Sequence, residues 1–224
     1  MKIRTAAGPW SQNRTSVPAA AGPSSRGDWV ALGGQAVDEG RRTDALACYQ
    51  RAAAMGDVLG LTNLGWCLET GMGVEADPRQ AVVLYAQAAS QEYIPALTNL
   101  GYCYVSGIGV DKDSAKALEC FRKGAEQGYP RGLLCMGLCC ERGRGVPVDK
   151  AAAAAWYRRG AELEDPECAC CLGFLYESGQ GVAQSWEEAV RWYRAAADQG
   201  DPRAQCNLAW CFENGKGVSR DEAA

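Results

Sequence analysis

The sequence predicts an all-α protein, a right-handed α/α superhelix (solenoid) of helix-turn-helix repeats. Three observations carry that expectation. A Gly-x-Gly-Val string returns at Gly71, Gly107, Gly143, Gly179 and Gly215, a 36-residue period without a slip. A Leu-Gly pair keeps the same register at Leu64-Gly65, Leu100-Gly101 and Leu172-Gly173, with Met136-Gly137 and Leu208-Ala209 as variants. A third row pairs an alanine (Ala45, Ala81, Ala117, Ala153, Ala189) with an aromatic four residues on (Tyr49, Tyr85, Phe121, Tyr157, Tyr193). A fixed period of this length marks one supersecondary unit per repeat, and such a unit buries its apolar face only by stacking on its neighbours.

Each unit reads as two helices. The first is exemplified by residues 57–70, where Gly60, Leu61, Leu64, Cys67 and Leu68 recur at helical spacing. Gly71 then supplies the left-handed residue expected just past a helix end. The second helix runs from about Pro78 to Gln91, with Asp77 placed to cap it and Pro78 at its first position. Ser185 with Glu188 three residues on has the pattern of a capping box. Asp165-Pro166 and Asp201-Pro202 open later first helices in the same way. The glycine of the Leu-Gly pair, and double-Ala motifs such as Ala52-Ala53, Ala88-Ala89 and Ala196-Ala197, are expected where paired helices approach closely.

The organisation follows from the register. Residues 1–27 contain Lys2, Arg4, Arg14 and Arg26, no acidic residue and three prolines. They are expected to be a disordered basic tail, with an organelle transit segment as the alternative. Residues 28–56 form a divergent opening unit, because Leu32-Gly33 precedes Leu64-Gly65 by only 32 residues. Four full units follow at 57–92, 93–128, 129–164 and 165–200, and 201–224 is an incomplete sixth. No polar capping element closes that end, so self-association through it, or continuation in a longer protein, is an open expectation.

Composition excludes several classes of function. The net charge is −4 and no basic cluster is present, which disfavours nucleic acid as a partner. No apolar run is long enough to cross a bilayer, so no direct membrane insertion is expected. The chain has no histidine. That removes Ser–His and Cys–His nucleophile pairs and every imidazole metal ligand. The Gly-x-Gly-Val strings follow helices, without the preceding strand a dinucleotide fingerprint needs. The expectation is therefore no enzyme, no catalytic residue, no metal and no cofactor.

The string Leu172–Val182, Leu-Gly-x-x-Tyr-x-x-Gly-x-Gly-Val, resembles the Sel-1-like repeat family, within the tetratricopeptide-like superfamily. Leu100–Val110 fits the same string with Tyr104 in the aromatic slot, and the resemblance spans residues 57–218. The opening unit is closer to a tetratricopeptide repeat. The resemblance implies adaptors and scaffolds that hold a protein or peptide. Some secreted members carry one disulfide per repeat, but the corresponding sites here, such as Ala53 and Ala125, hold no cysteine.

The twelve cysteines are therefore read as reduced fillers. Cys67, Cys103, Cys139 and Cys211 share one repeat position with Leu175, and Cys168 replaces Gly60, Ala96, Gly132 and Ala204. A site that accepts Leu, Ala or Gly wants a small apolar side chain, which a free thiol supplies. This reading places the protein in the cytoplasm or another reducing compartment. A zinc site built from Cys135, Cys139, Cys168 and Cys171, or thiol chemistry in the same units, is the competing function; a spacer segment of a larger scaffold is the third.

By analogy with tetratricopeptide stacks, the first helices are expected to line the concave face. That face would present Asn63, Trp66 and Glu69, then Asn99 and Tyr102, then Leu138 and Glu141, then Phe174 and Glu177, then Asn207, Trp210 and Glu213. The aromatics would anchor a partner beside an acidic row. The alternative is that these aromatics pack between neighbouring first helices and are buried.

Overall fold

The computed structural model describes residues 25–218. Among them are eleven α-helices and no strand. In chain order they are α1 (Arg26–Asp38), α2 (Arg42–Ala54), α3 (Val58–Thr70), α4 (Pro78–Ala89), α5 (Ile94–Ser106) and α6 (Ser114–Glu126). Then come α7 (Pro130–Arg142), α8 (Lys150–Glu162), α9 (Pro166–Ser178), α10 (Trp186–Ala197) and α11 (Pro202–Glu213). The chain divides into two compact units, residues 1–117 and 118–224. The basic segment expected at 1–27 lies, for residues 1–24, outside the described residues, as does the start of a second helix expected after α11.

Side-chain oxygens start most of the helices as the sequence requires. Asp57 Oδ1 accepts from the Gly60 N–H at 2.8 Å, Asp77 from Gln80 at 3.0 Å and Asp149 from Ala152 at 2.9 Å. Asp165 and Asp201 cap α9 and α11 in the same way, each at 2.8 Å. Each such bond satisfies one of the four N–H groups a helix start leaves without an internal partner. At α10 the forward half of the expected box forms, with Ser185 Oγ accepting from the Glu188 N–H at 3.2 Å. The Glu188 carboxylate turns instead to Arg191, one helical turn on, at 3.4 Å. A reciprocal box does form where none was expected, between Ser25 and Asp28 at the start of α1.

The first helices α3, α5, α7 and α9 end on a left-handed glycine, such as Gly71 at φ 75° and Gly179 at φ 66°. The second glycine of the string has a packing role as well. A Cβ on Gly181 would fall 2.2 Å from the Lys150 carbonyl carbon, so this turn lies directly on the start of the preceding α8. Only a residue without a side chain permits that approach. The turns from second to first helices hold a feature the sequence conceals. Gly56, Gly128 and Gly200 take positive φ there, and so do Glu92 and Glu164, both at φ 61°.

In the first unit, one core cluster joins Ala36, Ala45, Tyr49, Cys67 and Met72, with Val37, Leu46, Leu64 and Trp66 packed against it. A second joins Leu61, Leu84, Ala88 and Ala96. In the second unit, Leu133, Leu172, Leu175, Tyr157 and Tyr193 are fully buried. The Leu-Gly pair owes its glycine to these tyrosines. A Cβ on Gly65 would meet the Tyr85 ring at 2.8 Å, one on Gly137 the Tyr157 ring at 2.3 Å, and one on Gly173 the Tyr193 ring at 2.7 Å. The two helices of a unit are thus locked ring against backbone.

Candidate functional site

The face expected to hold a partner is built from the first helices, on residues that follow each N-cap by two turns. In the first unit, Asn63 on α3 is buried at 2 % exposure, whereas Asn99, Trp66 and Tyr102 are half-buried. Trp66 packs on the first core cluster, so it also holds the core together. In the second unit, Leu138 on α7 is buried at 8 %, but Phe174 on α9 is 45 % and Trp210 on α11 is 44 % exposed. Asn207 is half-buried and Glu213 exposed. The aromatic row therefore divides between core and surface, and its open members are Phe174 and Trp210.

The acidic row has an internal task that the sequence reading missed. The Tyr85 hydroxyl donates to Glu69 Oε2 at 2.8 Å, Tyr157 to Glu141 at 2.7 Å and Tyr193 to Glu177 at 2.6 Å. Each bond spans 16 residues and ties the end of a first helix to the middle of the second. Burial, and then the adjoining carboxylate, holds the Tyr193 hydroxyl far above the ordinary tyrosine range. Glu141 is further engaged by Lys150 Nζ, 3.3 Å from its Oε1. The opening unit has Val37 in the carboxylate position, and there the buried Tyr49 hydroxyl has no hydrogen-bond partner. The unit with Val105 at that position carries Phe121, which has no hydroxyl to satisfy. This pairing of columns was the available signal.

All twelve cysteines are free and nine are buried; Cys48 and Cys171 are half-buried and Cys206 is exposed. Desolvation pushes the thiols of Cys67, Cys103, Cys135, Cys170 and Cys171 up to about 12 and those of Cys120 and Cys139 up to about 11. Such thiols are protonated at neutral pH and poor as nucleophiles. Among the described residues, no group of three or more His, Cys, Asp or Glu side chains is placed to hold a metal ion. The four thiols weighed as zinc ligands, Cys135, Cys139, Cys168 and Cys171, thus form no convergent set. No helix among the described residues is long and apolar enough to cross a membrane.

Paired helices in register, a core of stacked repeats and an aromatic surface on the first helices define a helical-repeat scaffold. The comparisons with known proteins place it more closely. The chain belongs to the Sel1 repeat family, whose repeat it matches at residues 33–57, 58–93, 94–129, 133–165, 166–201 and 202–224. Members of this family are generally non-enzymatic scaffolds that mediate protein–protein interaction.

Among solved structures, a Sel1 repeat protein from Oxalobacter formigenes is 30 % identical with a TM-score of 0.77, over 87 % of this chain and 79 % of its own. A protective antigen present in uropathogenic Escherichia coli strains is 33 % identical with a TM-score of 0.73. That alignment covers 88 % of this chain but 43 % of the antigen, so the present chain spans less than half of that relative. An immunity protein from Pseudomonas aeruginosa, 19 % identical with a TM-score of 0.63 over 85 % of this chain and 72 % of its own, shares the fold. No curated protein gives a significant match.

Proposed function

We propose that this chain is an interaction scaffold that binds a protein or peptide along its first-helix face, with Phe174 and Trp210 as anchors in the second unit. One observation carries the reading. Two large apolar side chains at the same repeat position keep 45 % and 44 % of their surface exposed, while their equivalent Leu138 is buried at 8 %. Rigid aromatic side chains lose little conformational entropy on contact and dominate binding energetics at protein interfaces. The half-buried Asn99 and Tyr102 in the first unit, and Asn207 in the second, add hydrogen-bonding groups on first helices, while Glu69, Glu141 and Glu177 are clamped by their tyrosines. The free thiols fit a reducing compartment such as the cytoplasm.

The test is affinity capture from a native lysate with three baits: wild type, a Tyr102→Asp/Phe174→Asp variant, and an Ala151→Asp variant on the exposed side of α8. Far-UV circular dichroism confirms that each is folded. The expected result is a set of identified proteins recovered by wild type and by Ala151→Asp but lost from the double variant. Equal recovery by all three baits would remove the first-helix face from consideration.

A further inference from the structure

Two neighbouring repeats differ in charge at one equivalent position. In the unit of α7 and α8, the Glu141 carboxylate has two partners. One is the Tyr157 hydroxyl at 2.7 Å, the other Lys150 Nζ at 3.3 Å. In the next unit Tyr193 repeats the first contact, donating to Glu177 at 2.6 Å. The residue equivalent to Lys150, also first in its helix, is Trp186. The same position is Pro78 in α4 and Ser114 in α6, so the lysine and the tryptophan are each particular to their own unit.

The tryptophan ring does not stand alone. Trp186 lies 5.7 Å, centroid to centroid, from Trp210 at an interplanar angle of 31°. Gly217 packs on its backbone so tightly that a Cβ there would fall 2.3 Å from the Trp186 carbonyl oxygen. Trp210 remains 44 % exposed, and Glu213, one turn further along α11, is exposed as well. The negative faces of indole rings attract ammonium and guanidinium groups, Trp most strongly of the aromatic side chains. The structure already shows this in use, because Lys216 Nζ sits 5.6 Å from the Trp186 ring centroid.

We infer that the Trp186–Trp210 pair, with the neighbouring carboxylates Glu177 and Glu213, seats a lysine or arginine side chain presented by the bound partner. The partner's cation takes the place that Lys150 fills for Glu141 one repeat earlier. This rests on the reading of the protein as a peptide-binding scaffold and names the chemistry of one subsite. An acidic side chain is repelled there by the carboxylates and the negative ring faces, and a neutral one lacks the charge that they attract.

The experiment is a titration of the full chain with Nα-acetyl-lysine methylamide, followed through the indole N–H resonances of Trp186 and Trp210. The same compound acetylated at Nε, and its glutamate analogue, serve as controls. Saturable shifts at both indoles are expected with the lysine compound and not with either control. Trp186→Lys rebuilds the Lys150 arrangement and fills the subsite with the chain's own ammonium, so it should abolish the Trp210 shift. Lys216→Ala removes the internal competitor and should tighten binding about two- to fivefold. No shift in the wild type, equal shifts with the Nε-acetylated compound, or an undiminished Trp210 response in Trp186→Lys would each overturn the inference. The capture experiment reads Tyr102 and Phe174, outside this subsite. If it succeeds while the titration fails, the scaffold reading stands and the basic-residue subsite falls; if the titration succeeds and capture is unchanged by the double variant, the subsite stands and Tyr102 and Phe174 are not its neighbours in the working surface.

Discussion

Replacing Gly160 by alanine asks whether Cys168 is present for its volume. Gly160 on α8 and Cys168 on α9 face each other across the junction of two repeats. A Cβ on Gly160 would lie 2.3 Å from Cys168 Sγ and 2.8 Å from its Cβ, and Cys168 is fully buried. Two of the four equivalent pairs are both alanine, Ala88 with Ala96 and Ala196 with Ala204, all fully buried, whereas Ala52 with Gly60 and Gly124 with Gly132 lack a side chain on one or both sides and approach more closely. Glycine plus cysteine therefore fills the space that two alanines fill elsewhere. Gly160→Ala alone gains about 1 kcal/mol of helix propensity but costs about 1–3 kcal/mol in overpacking, so a net loss of about 1 kcal/mol is expected. Cys168→Ala alone leaves a methyl-sized void and costs about 1 kcal/mol. The double variant restores the two-alanine junction and should fall within about 0.5 kcal/mol of wild type, a coupling of roughly 2 kcal/mol between the sites. Denaturant unfolding of all four proteins by far-UV circular dichroism measures it, comparing slopes as well as midpoints because repeat arrays can lose two-state behaviour. Additive single effects would refute the volume argument and leave Cys168 without a packing reason.

Removing a hydroxyl should act with opposite sign at two equivalent tyrosines. Tyr49→Phe relieves an unpartnered buried oxygen and should stabilise by about 1 kcal/mol, whereas Tyr85→Phe breaks the bond to Glu69 and should destabilise by about 1 kcal/mol; thermal or denaturant midpoints decide. Glu164→Gly should raise stability by about 0.5–1 kcal/mol in the same assay, because the left-handed backbone at φ 61° strains a side-chain-bearing residue there. Stability should also fall steeply in alkali. Seven thiols, six of them buried and Cys171 half-buried, are held near 11–12 by desolvation in the folded chain, against about 8.5 when unfolded. Their contribution is whole below that lower value and declines by roughly 1.4 kcal/mol per pH unit per thiol as pH rises toward the folded values; an unfolding midpoint unchanged between about pH 8 and 10 would contradict this. Finally, brief alkylation of the native protein should label the exposed Cys206 first, and mass spectrometry after denaturation should find the buried thiols reduced and unmodified.

The fold was legible because each repeat restates it. Reading one column at a time across the units yields the small residue under each tyrosine, the capping aspartates and the glycine stops, since these answer to backbone geometry shared by every unit. Contacts between columns are harder to see. The Glu141–Tyr157 bond joins residues 16 apart, a separation no helical periodicity singles out. It shows in the sequence only when two columns are read together, where Phe121 accompanies Val105 and Tyr85, Tyr157 and Tyr193 accompany glutamates, with Tyr49 opposite Val37 the exception. The positive φ of Glu164 is hidden for another reason: tertiary stacking imposes the turn on a residue whose own preference opposes it. Which member of the first-helix row stays open was likewise beyond single columns, because exposure at that position, 8 % at Leu138 and 45 % at Phe174, depends on what packs around each. Departures from a column are therefore where this chain's own specificity is written. A repeat protein keeps in register what stacking needs, and the position of Trp186 is not kept, since it holds Pro78, Ser114 and Lys150 in the preceding units. Trp186 stacks on Trp210 where Lys150 pairs with a carboxylate, an arrangement that a cation from another molecule would complete.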